Sequence, residues 1–158
     1  AERAAPFGVE AVSKEDLFRR ADAVTVHMPL SDRTIGVVGA GDIGRMKPTA
    51  FLVNTSRPQL VDEEALVAAL QANRIAGAGM DVFTVEPLPA GHIYRTMPNV
   101  LATPHIGFVT QENYEVFFRQ SFENLAAYLD GAPVRTITPE VPYLPDAPLV
   151  DTAPDDVT

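Results

Sequence analysis

Residues 76–83 read AGAGMDVF, an almost continuous apolar run with the length of one β-strand. Its glycines allow a neighbouring backbone to approach closely. Apolar runs without strict alternation are typical of parallel strands that are covered on both faces. We therefore predict that this segment forms a strand buried in a parallel sheet.

Three similar runs lie elsewhere in the chain. They are Val24–Met28, Phe51–Thr55 and Val100–Thr103, and each stops at or near a proline. Helical patterns accompany them: Ser13 and Asp16 resemble a capping box for a helix through Arg20, Asp62 can cap a helix to about Asn73, and Thr110 can cap a helix over 110–130 that Gly131 ends. Strands that alternate with helices predict the α/β class with a parallel sheet.

The composition excludes several classes of protein. The chain has 158 residues, 46 % hydrophobic and 21 % charged, as expected for one folded domain. Its net charge of −9 argues against nucleic acid as a partner, and no apolar run reaches the ~18 residues of a membrane span. The absence of cysteine excludes disulfides and predicts a reducing compartment, the cytoplasm. His27, His92 and His105 lack the spacing of a metal site, so no metal is predicted.

Residues 1–137 are predicted to form the folded part of the chain, and residues 138–158 a tail. The tail contains five prolines, five carboxylates and no Lys or Arg. It buries too little apolar surface to offset the entropy lost on ordering. We expect it to be disordered or draped over the surface.

The segment Gly39–Gly44 reads GAGDIG and fits the GxGxxG pattern of a dinucleotide pyrophosphate site. Its context argues against that function. Pro48 comes too soon for the long helix that such a site needs, and the acidic residue expected ~20 positions later would be Glu64, in the first turn of another helix. We predict a short turn and one helical turn that cover a surface.

Four polar side chains follow the predicted strands: Arg57, Asp81, Glu86 and His105. Each residue type alone is more often structural, but ligands bind at the carboxyl edge of an open parallel sheet, where these four should converge. Together they suit a 2-oxo or 2-hydroxy acid. The guanidinium pairs with the substrate carboxylate, the imidazole exchanges a proton, and a carboxylate stabilises the protonated imidazole.

Several longer motifs occur in a fixed order. They are ADAVTVHMPL (21–30), MKP (46–48) with VNTSR (53–57), LVDE (60–63), GAGMDVF (77–83), EPL (86–88) and TPHIG (103–107). In order and spacing, over about residues 8–135, they resemble the D-isomer-specific NAD-dependent 2-hydroxyacid dehydrogenases. The resemblance implies part of a doubly wound, Rossmann-like NAD-binding domain, with helix 110–130 returning toward a substrate domain.

The resemblance also implies a role for each matching residue. Arg57 would bind the carboxylate and carbonyl oxygen of a small 2-oxo or 2-hydroxy acid, His105 would be the acid/base, and Glu86 its partner. Asp81 would hold the nicotinamide carboxamide. The cofactor, NAD with NADP left open, would also be lined by Met28, Pro29, Thr55, His105 and Gly107.

Two departures from the family pattern matter. Pro58 follows Arg57 where the family generally has glycine, and a fixed φ without an N–H puts the geometry of the substrate loop in question. The family's glycine fingerprint, its ribose-binding acidic residue and the first half of its substrate domain would lie upstream of residue 1. The resemblance therefore predicts a carboxy-terminal part of an enzyme, with the amino-terminal half missing and with little activity by itself.

The sequence thus predicts the carboxy-terminal part of an oxidoreductase that transfers a hydride between NAD(P) and a small D-2-hydroxy or 2-oxo acid. The complete enzyme is expected to be a homodimer. The alternative is a truncated or degenerate relative that is not catalytic and acts as a binding or regulatory module. The Arg, Glu and His set does not separate the two, because corepressors of this family retain a similar set.

Overall fold

The structure is a computed structural model that describes residues 5–137. The predicted tail, 138–158, lies outside the described residues. The described chain divides into two compact units, one that ends at Val109 and one that begins at Thr110. They are described separately below.

The first unit contains one parallel sheet of four strands. The strands are β1 (Ala23–Val26), β2 (Phe51–Asn54), β3 (Gly77–Met80) and β4 (Val100–Ala102), and they lie side by side in the order β1-β2-β3-β4. All four predicted strands are therefore confirmed, as is the α/β class. Each strand ends one to three residues before its predicted end, because the chain leaves the sheet there to form the loops at its carboxyl edge.

The described part of this unit contains three α-helices: α1 (Lys14–Arg20), α2 (Ala40–Arg45) and α3 (Glu63–Gln71). The predicted caps of α1 and α3 are confirmed. The Ser13 hydroxyl accepts a hydrogen bond from the Asp16 amide at 3.0 Å, and the Asp62 carboxylate accepts one from the Ala65 amide at 3.0 Å. Each cap satisfies an amide that has no partner within its own helix.

One face of the sheet carries the core. The strand register aligns Val24, Leu52 and Ala78 across it, with Val26, Asn54 and Met80 in the next row. These six side chains are buried and are covered by the helices through Phe18, Ile43, Leu66 and Leu70. Burial of apolar surface between helices and sheet is the main stabilising contribution to this unit.

The opposite face is open, which corrects the expectation that both faces of the strands are covered. Ala23 and Thr25 are exposed there, Phe51 is half exposed, and Leu101 is 70 % exposed. The physical reason lies in the helices, because α1, α2 and α3 contribute to a single core on the other face. We call this surface the open face.

We expect the open face to promote self-association of the chain, since exposed contiguous apolar surface is prone to it. Leu101→Lys should lower the average molar mass seen by light scattering, with a change in the free energy of unfolding within ~0.5 kcal/mol. Gln71→Lys, which adds the same charge at the exposed end of α3, is the control. Equal scattering for all three proteins would contradict this expectation.

The segment Gly39–Gly44 forms most of the short helix α2, in agreement with the predicted helical turn that covers a surface. Ile43 is its one buried side chain, whereas Ala40, Gly41 and Gly44 are exposed. The amino terminus of α2 is occupied by its own carboxylate. Asp42 Oδ2 accepts a hydrogen bond from the Gly39 amide at 3.0 Å and pairs with Lys14 Nζ at 2.7 Å. The Gly39 amide is therefore already used within the helix, which supports the prediction that this segment is not a phosphate loop.

The second unit is dominated by α4, which runs from Gln111 to Leu129. Thr110 caps it by accepting a hydrogen bond from the Asn113 amide, and Gly131 adopts a φ of 74° just beyond its end, so both predicted boundaries are confirmed. No residue of α4 is buried. That this helix returns toward a substrate domain stays a prediction. Within residues 5–137, none of the helices has the length and apolar character of a membrane span.

Candidate active site

The predicted site residues all lie just beyond the carboxyl ends of the strands. Met28 and Pro29 follow β1, Thr55 and Arg57 follow β2, Asp81 and Glu86 follow β3, and His105 and Gly107 follow β4. Since the strands are parallel and adjacent, these ends form one edge of the sheet. The structure therefore brings eight residues from distant parts of the chain to the place where open α/β sheets bind ligands.

His105 and Glu86 are in direct contact. The distance from His105 Nδ1 to Glu86 Oε2 is 2.9 Å, and Glu86 Oε1 accepts a hydrogen bond from the Phe83 amide at 2.9 Å. The hydrogen bond with His105, followed by that with the Phe83 amide, lowers the pKa of the Glu86 carboxyl below its ordinary value. Glu86 is thus an anion that engages one imidazole nitrogen. The other nitrogen, Nε2, is left for proton exchange with a ligand.

A cavity of about 330 Å³ opens beside this pair. Its lining residues are Phe83, Glu86, Pro87, Pro104 and His105. The walls are mostly apolar, and the pair supplies the acid/base groups. A small pocket with apolar walls and a few placed polar groups is typical of a site for a small molecule.

Asp81 holds the segment that carries His105. Its carboxylate is 4 % exposed and accepts three hydrogen bonds: from Thr103 Oγ1 at 2.6 Å, the Ile106 amide at 2.9 Å and the Gly107 amide at 2.7 Å. Burial alone would raise the pKa of Asp81. The three hydrogen bonds together have the larger, opposite effect, so the pKa lies below its ordinary value. Asp81 is an anion that ties the end of β3 to the turn after β4.

That turn is strained and narrow. His105 has a φ of 55°, a left-handed conformation that is uncommon outside glycine. A Cβ at Gly107 would lie 2.9 Å from Asp81 Oδ2 and 3.6 Å from the Thr55 Cβ. Glycine is therefore required where the turn approaches the Asp81 carboxylate. The orientation of His105 depends on this turn.

We predict that Asp81→Asn destabilises the first unit by about 1.5–3 kcal/mol, the range for hydrogen bonds to a charged group. An amide can present its oxygen to only one side, so its NH₂ would face a backbone N–H. Because the pKa of Asp81 is lowered in the folded state, its contribution is complete above an ordinary Asp pKa of about 3.9 and is lost as the pH falls through the lower folded value.

Denaturant unfolding between acidic and neutral pH measures this contribution. Asp62→Asn is the matched control. The Asp62 carboxylate accepts the hydrogen bond from the Ala65 amide described above, and Asn caps a helix about as well as Asp. Asp81→Asn and Asp62→Asn with equal free energies of unfolding would contradict the role of Asp81 in the turn.

Arg57 shares the sheet edge with His105 but is not in contact with it. Its guanidinium is exposed and donates a hydrogen bond from Nη1 to the Ser56 carbonyl at 2.7 Å. One strand, β3, separates the end of β2 from the end of β4. The structure therefore places Arg57 as a cation at the same edge as the imidazole.

The resemblance implies that this edge takes the nicotinamide part of a dinucleotide. Both oxygens of Asp81 already accept hydrogen bonds within the protein, and Gly107 approaches Asp81 so closely that no side chain would fit between them. Met28 is 42 % exposed at the end of β1, where a flat ring could contact it. Among residues 5–137 the short helix α2, already capped by Asp42, offers no cradle for a pyrophosphate.

Sequence reasoning missed two residues of the site. Asn54 is fully buried and bonds to the loop that carries Arg57, and Thr103 donates to Asp81. The signal for Asn54 was present, because an Asn at the last position of an apolar strand is a buried polar group that needs partners. Thr103 gave no comparable signal, since β-branched residues are common in strands.

A parallel α/β sheet with a cation and a carboxylate–imidazole pair at its carboxyl edge is typical of a Rossmann-type domain that binds its ligand at that edge. Comparison with known proteins identifies the family. The model for the NAD-binding domain of D-isomer specific 2-hydroxyacid dehydrogenases matches residues 1–107, so the chain belongs to this family.

Individual relatives agree with this assignment. Glyoxylate/hydroxypyruvate reductase B of Enterobacter agglomerans is 40 % identical over 125 residues, which cover 79 % of this chain and 39 % of that protein. A solved phosphoglycerate oxidoreductase from Vibrio cholerae is 38 % identical with a TM-score of 0.76, over 83 % of this chain and 42 % of that one.

A D-isomer specific 2-hydroxyacid dehydrogenase from Lactobacillus delbrueckii, solved in its NAD-complexed form, is 29 % identical with a TM-score of 0.70, over 87 % of this chain and 46 % of that one. The chain thus spans less than half the length of these relatives. The family and its NAD-binding fold agree with the resemblance seen in the sequence.

Proposed function

We propose that the chain supplies the acid/base and substrate-binding residues of an NAD-linked oxidoreductase that interconverts small D-2-hydroxy acids and 2-oxo acids. The observation that carries the proposal is the contact of His105 with Glu86, 2.9 Å apart, at the carboxyl edge of the sheet. The names of the relatives, which include a glyoxylate/hydroxypyruvate reductase and phosphoglycerate enzymes, support the substrate class but do not narrow it to one acid.

In the direction of reduction, the substrate carboxylate pairs with the guanidinium of Arg57, which matches a carboxylate with two parallel N–H groups. This contact orients the 2-oxo group toward His105. The reduced nicotinamide, when bound, supplies the hydride to the carbonyl carbon. His105 Nε2 donates its proton to the carbonyl oxygen as the negative charge develops there.

Glu86 and Asp81 have different roles toward His105: Glu86 contacts its imidazole, and Asp81 fixes its backbone turn. Glu86 stabilises the protonated imidazole, the form that can donate a proton. Asp81 holds the turn in which His105 lies. The contact of Asp81 with the nicotinamide carboxamide, which the resemblance implies, stays a prediction. Met28, Pro29, Thr55 and Gly107 line the approach of the cofactor to this edge.

The proposal is tested by a chimera of the Enterobacter agglomerans reductase in which the matching segment is replaced by this chain. We expect NADH-dependent reduction of glyoxylate or hydroxypyruvate. A folded chimera that binds NADH without turning over any small 2-oxo acid would favour the second candidate, a non-catalytic binding or regulatory module.

We predict that Glu86→Gln in this chimera lowers kcat for reduction. The hydrogen bond with His105 lowers the pKa of the Glu86 carboxyl, so Glu86 is an anion beside the proton donor, and the amide removes that negative charge. Steady-state kinetics measures the loss. Glu63→Gln, which removes a carboxylate near the other paired histidine, His92, serves as the control and should leave kcat unchanged. An unchanged kcat in Glu86→Gln would assign the partner role to another carboxylate, with Asp81 the first candidate.

Two further properties belong to the proposal. The complete enzyme is a homodimer, and it works in the cytoplasm, which suits a chain without cysteine. Sedimentation of the chimera tests the first property, and localisation of the tagged protein tests the second.

A further inference from the structure

We propose that Asn54 and Pro58 are positioning residues for Arg57: they fix its backbone in an extended conformation from both sides, so that only its side chain moves when a carboxylate binds. This inference rests on the proposed function for its catalytic meaning, but its geometry does not depend on it. Arg57 has φ −142° and ψ 141°. Its side chain is exposed, whereas the residues around its backbone are buried or bonded.

Asn54 fixes the backbone before and at Arg57. Its side chain is 0 % exposed, and both of its polar groups are used within the loop. Oδ1 accepts a hydrogen bond from the Ser56 amide at 3.0 Å, and Nδ2 donates one to the Arg57 carbonyl at 2.9 Å. The Ser56 hydroxyl in turn donates to the Val26 carbonyl at 2.9 Å, which ties the loop to the end of β1.

Pro58 fixes the backbone after Arg57. The ring of a proline disfavours the helical conformation of the preceding residue and favours the extended one that Arg57 has. Pro58 begins a 3₁₀ helix, Pro58–Leu60, where its fixed φ suits the first position and its missing N–H is not needed. This resolves the question that the sequence raised, since the loop accommodates the proline without a lost hydrogen bond.

The far end of the 3₁₀ helix is itself anchored. Leu60 and Val61 are buried, and the Leu60 carbonyl accepts a hydrogen bond from the Val38 amide at 2.9 Å. The Asp62 amide donates to the Val38 carbonyl at 2.9 Å. The 3₁₀ helix that Pro58 begins is therefore fixed at its carboxyl end by hydrogen bonds to Val38. This limits the movement of Pro58 and, through it, of the Arg57 backbone.

A fixed backbone beneath a long side chain has a functional consequence. Arg57 uses only Nη1 to bond the Ser56 carbonyl, so its other N–H groups can turn to a substrate carboxylate. A long charged side chain loses conformational freedom when it is held in one geometry. If the backbone also had to become ordered, binding would be weaker still. The geometry points to a loop that removes this second cost in advance.

The test uses NMR on the complete isotopically labelled chain without ligand. Arg57 in the unaltered chain should show Cα and Cβ chemical shifts of extended backbone and an order parameter of about 0.85, the rigid value. In Pro58→Gly the shifts should move toward averaged values and the order parameter should fall toward about 0.6. Pro58→Ala should lie between them. Pro48→Ala, a proline substitution outside this loop, is the control and should leave Arg57 unchanged.

The catalytic meaning is tested in the chimera. Pro58→Gly should raise KM for glyoxylate about 2–5-fold with little change in kcat, the scale expected from the extra backbone freedom of glycine over proline. A general loss of structure would not separate KM from kcat in this way. Asn54→Asp, which keeps the acceptor for Ser56 but loses the donor to the Arg57 carbonyl, should raise KM in the same direction wherever it folds.

The outcomes of these tests are distinct. A rigid, extended Arg57 in Pro58→Gly overturns the positioning inference, and so does an unchanged KM in an active chimera. An inactive chimera with a mobile Arg57 in Pro58→Gly would instead refute the proposed function and leave the positioning role standing.

Discussion

Replacing His105 by glutamine is expected to lower kcat and kcat/KM of the chimera together by about 10²–10⁴-fold, the contribution of proton transfer by a placed side chain. Glutamine keeps the size and a hydrogen-bond donor at this position but carries no proton that it can transfer. KM should change little, since Arg57 still binds the carboxylate. Steady-state reduction of glyoxylate with NADH measures both constants.

His92→Gln is the matched control for this substitution. His92 also pairs with a glutamate, Glu63, at 3.3 Å, but it caps the 3₁₀ helix Ile93–Arg95 and lies outside the candidate site. Its replacement should leave kcat within the range of the unaltered chimera. A His105→Gln enzyme that retains more than a tenth of the original kcat would remove His105 as the proton donor.

Arg57→Lys is expected to lower kcat/KM by about 10–100-fold, the scale of a lost charge-assisted hydrogen bond in a two-pronged contact. Lysine keeps the positive charge but presents a single point charge in place of the planar guanidinium. The loss should appear mainly in KM for the 2-oxo acid. Initial rates over a wide range of glyoxylate concentrations separate KM from kcat.

Arg95→Lys provides the comparison. Arg95 is also exposed and also donates to backbone carbonyls, those of Leu88 and Pro89, but it follows neither strand end that carries the proposed chemistry. We expect no change in KM for that variant. An Arg57→Lys enzyme with the original KM would mean that another group binds the substrate carboxylate.

The strands and caps could be predicted because their signals are local. Apolar runs located all four strands, and Ser13, Asp62 and Thr110 marked three helix starts through short-range hydrogen bonds. The strand ends could not be predicted as well. Val82 and Phe83 are as buried as a strand residue, yet they lie in the loop beyond β3, so apolar character continues after the hydrogen-bonded ladder stops.

The position of the candidate site could be predicted from the sequence, but the hydrogen bonds within it could not. Parallel topology alone brings Arg57, Glu86 and His105 to one edge, whatever the loops do. The use of Asp81 was not predictable, since its three donors come from residues 22–26 positions further along and depend on the left-handed conformation of His105. The open face was missed for a similar reason, because strand patterns do not indicate which face the helices cover.

The order of the strands has a consequence for how the first unit forms. Every strand pairs with the next one in the sequence, as the registers Ala23↔Phe51, Phe51↔Gly77 and Ala78↔Val100 indicate. Paired residues are 22–28 positions apart, so each pairing closes one crossover of that length and none has to wait for a strand further along the unit. During synthesis on the ribosome, β2 can dock on β1 as soon as it emerges, and β3 and β4 can follow in turn. Arg57, Asp81, Glu86 and His105 would then be brought to the common edge in the order in which they are translated.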